Sequence, residues 1–252
     1  MRILLTNDDG VLAEGIFWLY QQLRSLGEVL VVAPAVEQSA TGHAITLYHP
    51  LRVKKVTREK GYWGYAVNGT PADCVKIAIK VLMPKPPDIV VSGINMGPNV
   101  GLAVLYSGTV SAAMEGTVLG FSSVAVSLGT KQDPDFRYAA RFTKKLIHEV
   151  HRHGLPHGTL LNVNIPPVPE EAIKGVRITR HGSSRIVEHF DKRMDPQRGT
   201  YFWLSGELVA AEEGPDVDGT ALKNREISIT PIHYDLTHHK YMGNLEKWKL
   251  VK

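Results

Sequence analysis

Short apolar runs, cut off by turn residues, set the rhythm of the first two thirds of the chain. Ile3-Leu4-Leu5 stops abruptly at Thr6-Asn7-Asp8-Asp9-Gly10. A run this short reads as a buried strand, and Asn-Asp-Asp-Gly as the turn that ends it. A helical pattern follows, with Ile16, Leu19, Tyr20, Leu23 and Leu26 on one face and Gly27 as its expected C-cap. Residues 28–34 predict a second buried strand closed by Pro34, and 35–43 a loop. Short strands are expected at 44–47, 51–56 and 65–67. Thr70-Pro71-Ala72-Asp73 has the chemistry of a helix start, with Val75, Ala78, Ile79 and Leu82 as the apolar face behind it. Residues 88–92 predict a buried strand running into a loop with glycine at positions 93, 97 and 101. Ser107 is the expected N-cap of a small-residue helix reaching Gly120. A strand at 122–128, an amphipathic helix at 134–153 and a strand at 160–165 complete the series.

Strands alternating with helices predict an α/β fold around an open, mostly parallel sheet, which binds ligands at the carboxyl ends of its strands. Pro166-Pro167 marks the expected boundary between a core (1–167) and a smaller, strand-rich C-terminal region (168–252). Strands are predicted there at 176–179, 200–204 and 226–232, without regular helices between them. Residues 180–198 read as a polar, exposed arm and 241–252 as a polar tail. A region lacking strand–helix alternation builds no layer of its own. It is expected to mediate a homodimer, by the arm or by the tail from Tyr234 crossing between subunits.

Composition narrows the classes. With 252 residues, 43% of them hydrophobic, a sizeable core is possible. No apolar run is long enough to span a bilayer, and the N-terminus enters a strand without a charged, then apolar, leader. Cys74 is the only cysteine, which excludes an internal disulfide and a cysteine metal site and suits the cytoplasm. It falls in a helical pattern and reads as a small core residue. A net charge of +4 favours anionic small molecules and is too diffuse for nucleic acid. His148, His151, His153, His238 and His239 lack paired ligand context and read as solvated.

Four oxygen-bearing groups follow strand ends: Asp8, Asp9, Ser39 and Asn95. Two carboxylates, a hydroxyl and an amide oxygen are hard ligands, suited to Mg²⁺, Mn²⁺ or Ca²⁺. The Gly/Asn loop and the Ser107 helix start are anion cradles. A hard cation beside an anion cradle is the arrangement for phosphoryl chemistry. Taken singly, each element has a plainer reading: Asp-Asp-Gly as an Asx-turn and helix cap, Ser39 as a turn hydroxyl, His43 as a surface histidine.

The stretches Thr6-Asn7-Asp8-Asp9-Gly10, Ser39-Ala40-Thr41-Gly42-His43-Ala44-Ile45-Thr46, Asn68-Gly69-Thr70-Pro71-Ala72-Asp73-Cys74, Ser92 through Gly101 and Tyr106-Ser107-Gly108-Thr109-Val110 appear in one order. Together they resemble the SurE family, the stationary-phase survival nucleotidases. The resemblance covers the first half closely and the second loosely, clearest at Ser228-Ile229-Thr230-Pro231. It implies a three-layer α/β/α Rossmann-like core and a C-terminal region used in a homodimer or homotetramer. It implies a phosphatase for nucleoside 5′- and 3′-monophosphates, with one Mg²⁺ or Mn²⁺ per subunit on Asp8, Asp9, Ser39 and Asn95. Phosphate contacts would come from Asn95, Asn99, Ser107, Gly108 and Thr109. His43 is then either the acid for the leaving alcohol or a residue that positions its loop. The chain departs from many relatives at Glu14, where they carry proline, and at Leu102 or Ala103, where they carry an acid. Three competing readings differ in chemistry. A nucleotide-binding regulator would show no turnover. A haloacid-dehalogenase-type phosphatase expects Asp-x-Asp, and a dinucleotide oxidoreductase needs a glycine fingerprint the chain lacks.

Overall fold

Ile3, Leu4 and Leu5 are wholly buried, as their unbroken apolar run requires, and form β1 (Arg2–Thr6). The computed structural model describes residues 1–209, 213–248 and 250. The further strands are β2 (Glu28–Pro34), β3 (Val53–Thr57), β4 (Trp63–Val67), β5 (Ile89–Met96), β6 (Ser122–Leu128), β7 (Thr159–Ile165), β8 (Val176–Ile178), β9 (Arg185–Asp195), β10 (Gly199–Val209) and β11 (Ile227–His233). Nine of them make one sheet in the order β3-β4-β2-β1-β5-β6-β7-β11-β8. From β4 to β7 every neighbour is parallel. β3 and β11 add antiparallel to β4 and β7, and β8 lies parallel to β11. The chain leaves β1 toward β2 and β4 on one side, then returns through β5 to β6 and β7 on the other. The order therefore reverses between β1 and β5, and a crevice opens at their carboxyl ends.

Side chains alternate across the sheet, so β1 feeds two cores. Ile3 and Leu5 pack with Ile16, Leu19 and Leu23 of α1 (Glu14–Leu23) and Ile147 of α4 (Phe136–His153). Leu4 packs with Cys74 and Val75 of α2 (Pro71–Ile77) and Ala112 of α3 (Gly108–Val118) on the opposite face. The result is the expected three-layer α/β/α core. Thr70 caps α2 in a capping box with Asp73, and Ser107 caps α3, as their sequences predict.

Several elements differ from the sequence pattern. Residues 44–47 form no strand. Their polar groups go to α2 instead: Thr70 Oγ1 donates to the Ala44 carbonyl at 2.7 Å, and Thr46 donates to the Asp73 carboxylate. α1 stops at Leu23 with Arg24 as C-cap, not at Gly27. α2 loosens into a π turn at Ala78–Leu82. β5 continues through Gly93 to Met96, taking the first part of the glycine loop into the sheet with a register shift between Ser92 and Asn95. Beyond Pro167, β8 and β11 extend the main sheet, and two short helices appear, α5 (Asp218–Lys223) and α6 (His239–Leu245). Most of the expected polar arm is β9, which with β10 makes a two-stranded antiparallel hairpin. In the expected tail, Lys249, Val251 and Lys252 lie outside the described residues.

Glycine brings α3 close to the sheet. A Cβ on Gly116 would lie 2.6 Å from Ser123 Oγ and 2.8 Å from Val90 Cγ2. Gly116→Val should therefore force α3 off β5 and β6 and lower unfolding stability by about 1–3 kcal/mol, read as a lower midpoint in urea denaturation. An unchanged midpoint would show that the layers do not depend on this approach.

Candidate active site

Asn7 makes the turn after β1: its Oδ1 accepts from Gly10 N–H at 3.2 Å and its Nδ2 donates to the Gly10 carbonyl at 2.9 Å. α1 begins after Ala13, with no side-chain cap. Neither aspartate is thus occupied by the turn or by the helix, and the plainer reading of Asp-Asp-Gly belongs to its neighbours. Asp8 is 5% exposed. Burial pushes its pKa up, while the hydroxyl and N–H of Thr109 hold it down; the net direction is up. Gly108 lies against it so closely that a Cβ there would be 2.7 Å from Asp8 Cβ and 2.8 Å from Oδ2. Asp9 is pushed up to about 7, first by burial and then by the charge of Asp8, against a hydrogen bond from the Met96 backbone. Among the described residues no lysine, arginine or histidine makes an ion pair with either carboxylate.

The loop after β2 runs along this turn. Gln38 N–H donates to the Asp8 carbonyl at 2.8 Å, and Val11 N–H to the Pro34 carbonyl at 2.9 Å. Ser39, next in the loop, is exposed and donates to Glu37 Oε1 at 2.5 Å. Asn95, at the carboxyl end of β5, gives its Nδ2 to the Gly97 carbonyl at 2.7 Å, and its Oδ1 receives no hydrogen bond among the described residues.

α3 starts against Asp8. Ser107 Oγ accepts from Val110 N–H at 3.1 Å, and Ser107, Gly108 and Thr109 are buried. The first N–H groups of a helix have no partner within it, and here Thr109 gives its own to Asp8. Asn99 is buried as well. Its Nδ2 donates to Ser127 Oγ at 2.9 Å, its backbone N–H to Asn164 Oδ1 at 2.8 Å, and its carbonyl accepts from Asn162 Nδ2 at 2.8 Å and Asn164 Nδ2 at 3.0 Å. His43 stands beside α3: Gly42 N–H donates to the Tyr106 carbonyl at 3.0 Å, and His43 Nε2 lies 2.8 Å from Glu115 Oε2.

Residues 3–188 match the family described as Survival protein SurE. The chain belongs to the SurE family. It is 52% identical over 250 residues to a protein of Syntrophobacter fumaroxidans named 5′-nucleotidase SurE, covering 99% of this chain and 100% of that one. A protein of Syntrophus aciditrophicus with the same name is 50% identical, over 98% of this chain and 93% of its own length. The crystal structure of the SurE protein of Aquifex aeolicus superposes with a TM-score of 0.85 at 40% identity, covering 98% and 99% of the two chains.

The oxygens of Asp8, Asp9 and Asn95 are of the kind a hard cation takes. Asp8 is buried, Asp9 beside it is half-buried, the two repel each other, and the Asn95 amide presents an oxygen. Among the described residues no three His, Cys, Asp or Glu side chains gather as a cage; the candidate donors are two carboxylates with neutral oxygens. The structure also adds residues that motif reading passed over. Glu37 and Lys131 act on Asp9 with opposite sign. Lys131 lies over Gly97, where a Cβ would meet its Cε at 2.9 Å. Asn162 and Asn164 clamp Asn99. Their signal is visible afterwards: two asparagines at i and i+2 in an otherwise apolar strand share one face.

Asp9 makes a pH prediction. Its folded pKa of about 7 exceeds its ordinary 3.8, so the folded protein binds this proton more tightly than the unfolded one. The stabilisation is complete below the ordinary value and is lost as pH rises through about 7. With chelator present, the thermal midpoint should fall across that window, and Asp9→Asn should flatten the fall. Added Mg²⁺ should raise the midpoint more on the alkaline side. Identical pH slopes in both proteins would contradict the assignment.

Proposed function

We propose that this chain hydrolyses nucleoside 5′- and 3′-monophosphates to nucleoside and phosphate with one divalent cation, Mg²⁺ or Mn²⁺, per subunit. One observation carries the reading: the Asp8 carboxylate touches the start of α3, with Asp9 beside it in the chain and, among the described residues, no cationic side chain ion-paired to either. A place that requires a cation is therefore continuous with a place that attracts an anion. The names of the relatives supply the substrate class. Asp8, Asp9, Ser39 Oγ and Asn95 Oδ1 hold the cation, which when bound polarises the phosphoryl oxygens and neutralises their charge. Ser107, Gly108 and Thr109 offer the helix start to the phosphate, with Asn95 and Asn99 at its edge. Asp8 is engaged by Thr109, so Asp9 is the carboxylate placed to accept a proton from the attacking water, and His43 returns one to the leaving alcohol.

The hairpin supports the assembly reading. β9 and β10 are eleven residues each. They expose Phe190, Met194, Phe202, Trp203 and Leu204. A two-stranded ribbon is marginal in water unless its apolar side is covered. A second copy of the chain covers it, as a homodimer or as half of a homotetramer. The single, buried Cys74 fits the cytoplasm.

Purified protein should release phosphate from nucleoside monophosphates, stop with chelator, and resume with Mg²⁺ or Mn²⁺. Asp8→Asn and Asp9→Asn should each lower kcat on the order of 10²-fold or more. Ser107→Ala should weaken inhibition by inorganic phosphate with little effect on metal titration, whereas Asn95→Ala should weaken metal binding. The reverse pattern would exchange their roles. A phosphorylated aspartate trapped during turnover would replace water as the nucleophile.

Sedimentation at micromolar concentration tests the assembly. A dimer or tetramer is expected, dissociating when Phe202 and Trp203 are both changed to serine. A monomeric parent chain would refute it.

A further inference from the structure

Glu115 is 3% exposed, two turns into α3. A carboxylate buried so deeply costs free energy unless both oxygens are paired. Here Oε2 meets His43 Nε2 at 2.8 Å and Oε1 meets Lys76 Nζ of α2 at 2.6 Å. Burial pushes the Glu115 pKa up, but the hydrogen bonds from His43 and Lys76 outweigh it and hold the group below its ordinary value. It is an anion at neutral pH.

The loop carrying His43 does not need this pair to stay in place. Gly42 N–H is bound to the Tyr106 carbonyl. The Ala44 carbonyl is bound to Thr70 Oγ1. Thr46 gives its N–H and its hydroxyl to Asp73 at 3.0 and 2.6 Å. The backbone is thus fixed on both sides of His43 without Glu115, and what Glu115 fixes is the ring. An imidazole that donates Nε2–H to a carboxylate presents Nδ1 as its other working nitrogen. Lys76 pairs with the second oxygen at 2.6 Å, so the carboxylate stands between two basic side chains.

We infer that Glu115 and Lys76 are positioning residues that hold His43, by Nε2, as the proton donor to the leaving oxygen. The inference rests on the phosphomonoester hydrolysis proposed above. In the step, a bond forms between the water oxygen and phosphorus while the bond from phosphorus to the ester oxygen breaks. The electron pair of the broken bond leaves on the ester oxygen, which takes the proton from His43 Nδ1. The proton lost by water passes to Asp9, and solvent restores both groups.

The test compares two leaving groups on the full chain with Mg²⁺. A nucleoside 5′-monophosphate leaves as an alkoxide that requires a proton; para-nitrophenyl phosphate leaves as an anion stable at neutral pH. Glu115→Gln keeps the shape and removes the charge. It should lower kcat on the nucleotide on the order of 10²-fold and on the nitrophenyl ester markedly less, with KM little changed. Equal losses on both esters would overturn the inference and leave the hydrolysis standing. If Glu115→Gln does not fold, His43→Asn, at a partly exposed ring, carries the same comparison with the same two outcomes. A parent protein that releases phosphate from neither ester would overturn the hydrolysis and the inference together.

Discussion

Asp8 and Asp9 repel each other at the end of a buried strand, and no cationic side chain of the described chain pairs with them. That repulsion is the constraint to which the surrounding structure answers. Burial alone would protonate both. Instead the fold brings neutral donors. The hydroxyl and N–H of Thr109 reach Asp8, and the Met96 backbone reaches Asp9. These leave both carboxyl groups above the ordinary range, so ionising the turn is costly until a cation compensates it. The turn is tolerated because β1 is central, its apolar residues are wholly buried in two cores, and Asn7 rather than an aspartate closes the turn.

The other wall of the site is held from the C-terminal region. Asp218 is fully buried and accepts N–H bonds from Gly101 at 2.9 Å, Gly182 at 3.2 Å and Gly219 at 2.7 Å. Leu102 N–H donates to the Ser184 carbonyl at 2.8 Å, and His181 Nε2 lies 2.6 Å from the Gly101 carbonyl. The segment leading from Asn99 to Ser107 is therefore clamped by the residues from which β9 departs. The hairpin and the candidate site therefore share a wall.

The central sheet was legible because its signal is the burial itself: β1, β2, β5, β6 and β7 are runs that only an interior accepts. The acidic turn, the Ser107 cap and the small-residue face of α3 were legible for the same reason, each being a local rule obeyed. Residues 44–47 misled because their apolar pattern is not buried; Ile45 and Leu47 are 45% and 73% exposed, and α2 takes the hydrogen bonds a neighbouring strand would have taken. Residues 180–198 read as a polar arm, although they hold β9, because the hairpin packs on no core and so leaves no clean alternation in its first strand. Glu115 carries no signal, and the Asn162 and Asn164 pair carries one that does not name its partner, for another reason. A single polar residue in a buried element has meaning only beside its partner, and His43 and Asn99 lie 72 and 63 positions from theirs.

On the proposed function the start of α3 serves two anions, and this orders the chemistry. Its positive end is equivalent to about half an elementary charge, and Thr109 has already turned its hydroxyl and N–H toward Asp8. What remains for a phosphate is Ser107 and Gly108, against the field of two carboxylates beside them. A phosphate dianion entering that field meets more repulsion than half a charge offsets at similar distance. On the proposed function, the carboxylates must therefore be neutralised before the helix start can hold the substrate. The cation is then a condition for binding as well as for reaction. The missing side chain of Gly108 keeps this coupling short: it lets α3 approach Asp8 closely, so that the proposed anion and cation sites would share an edge.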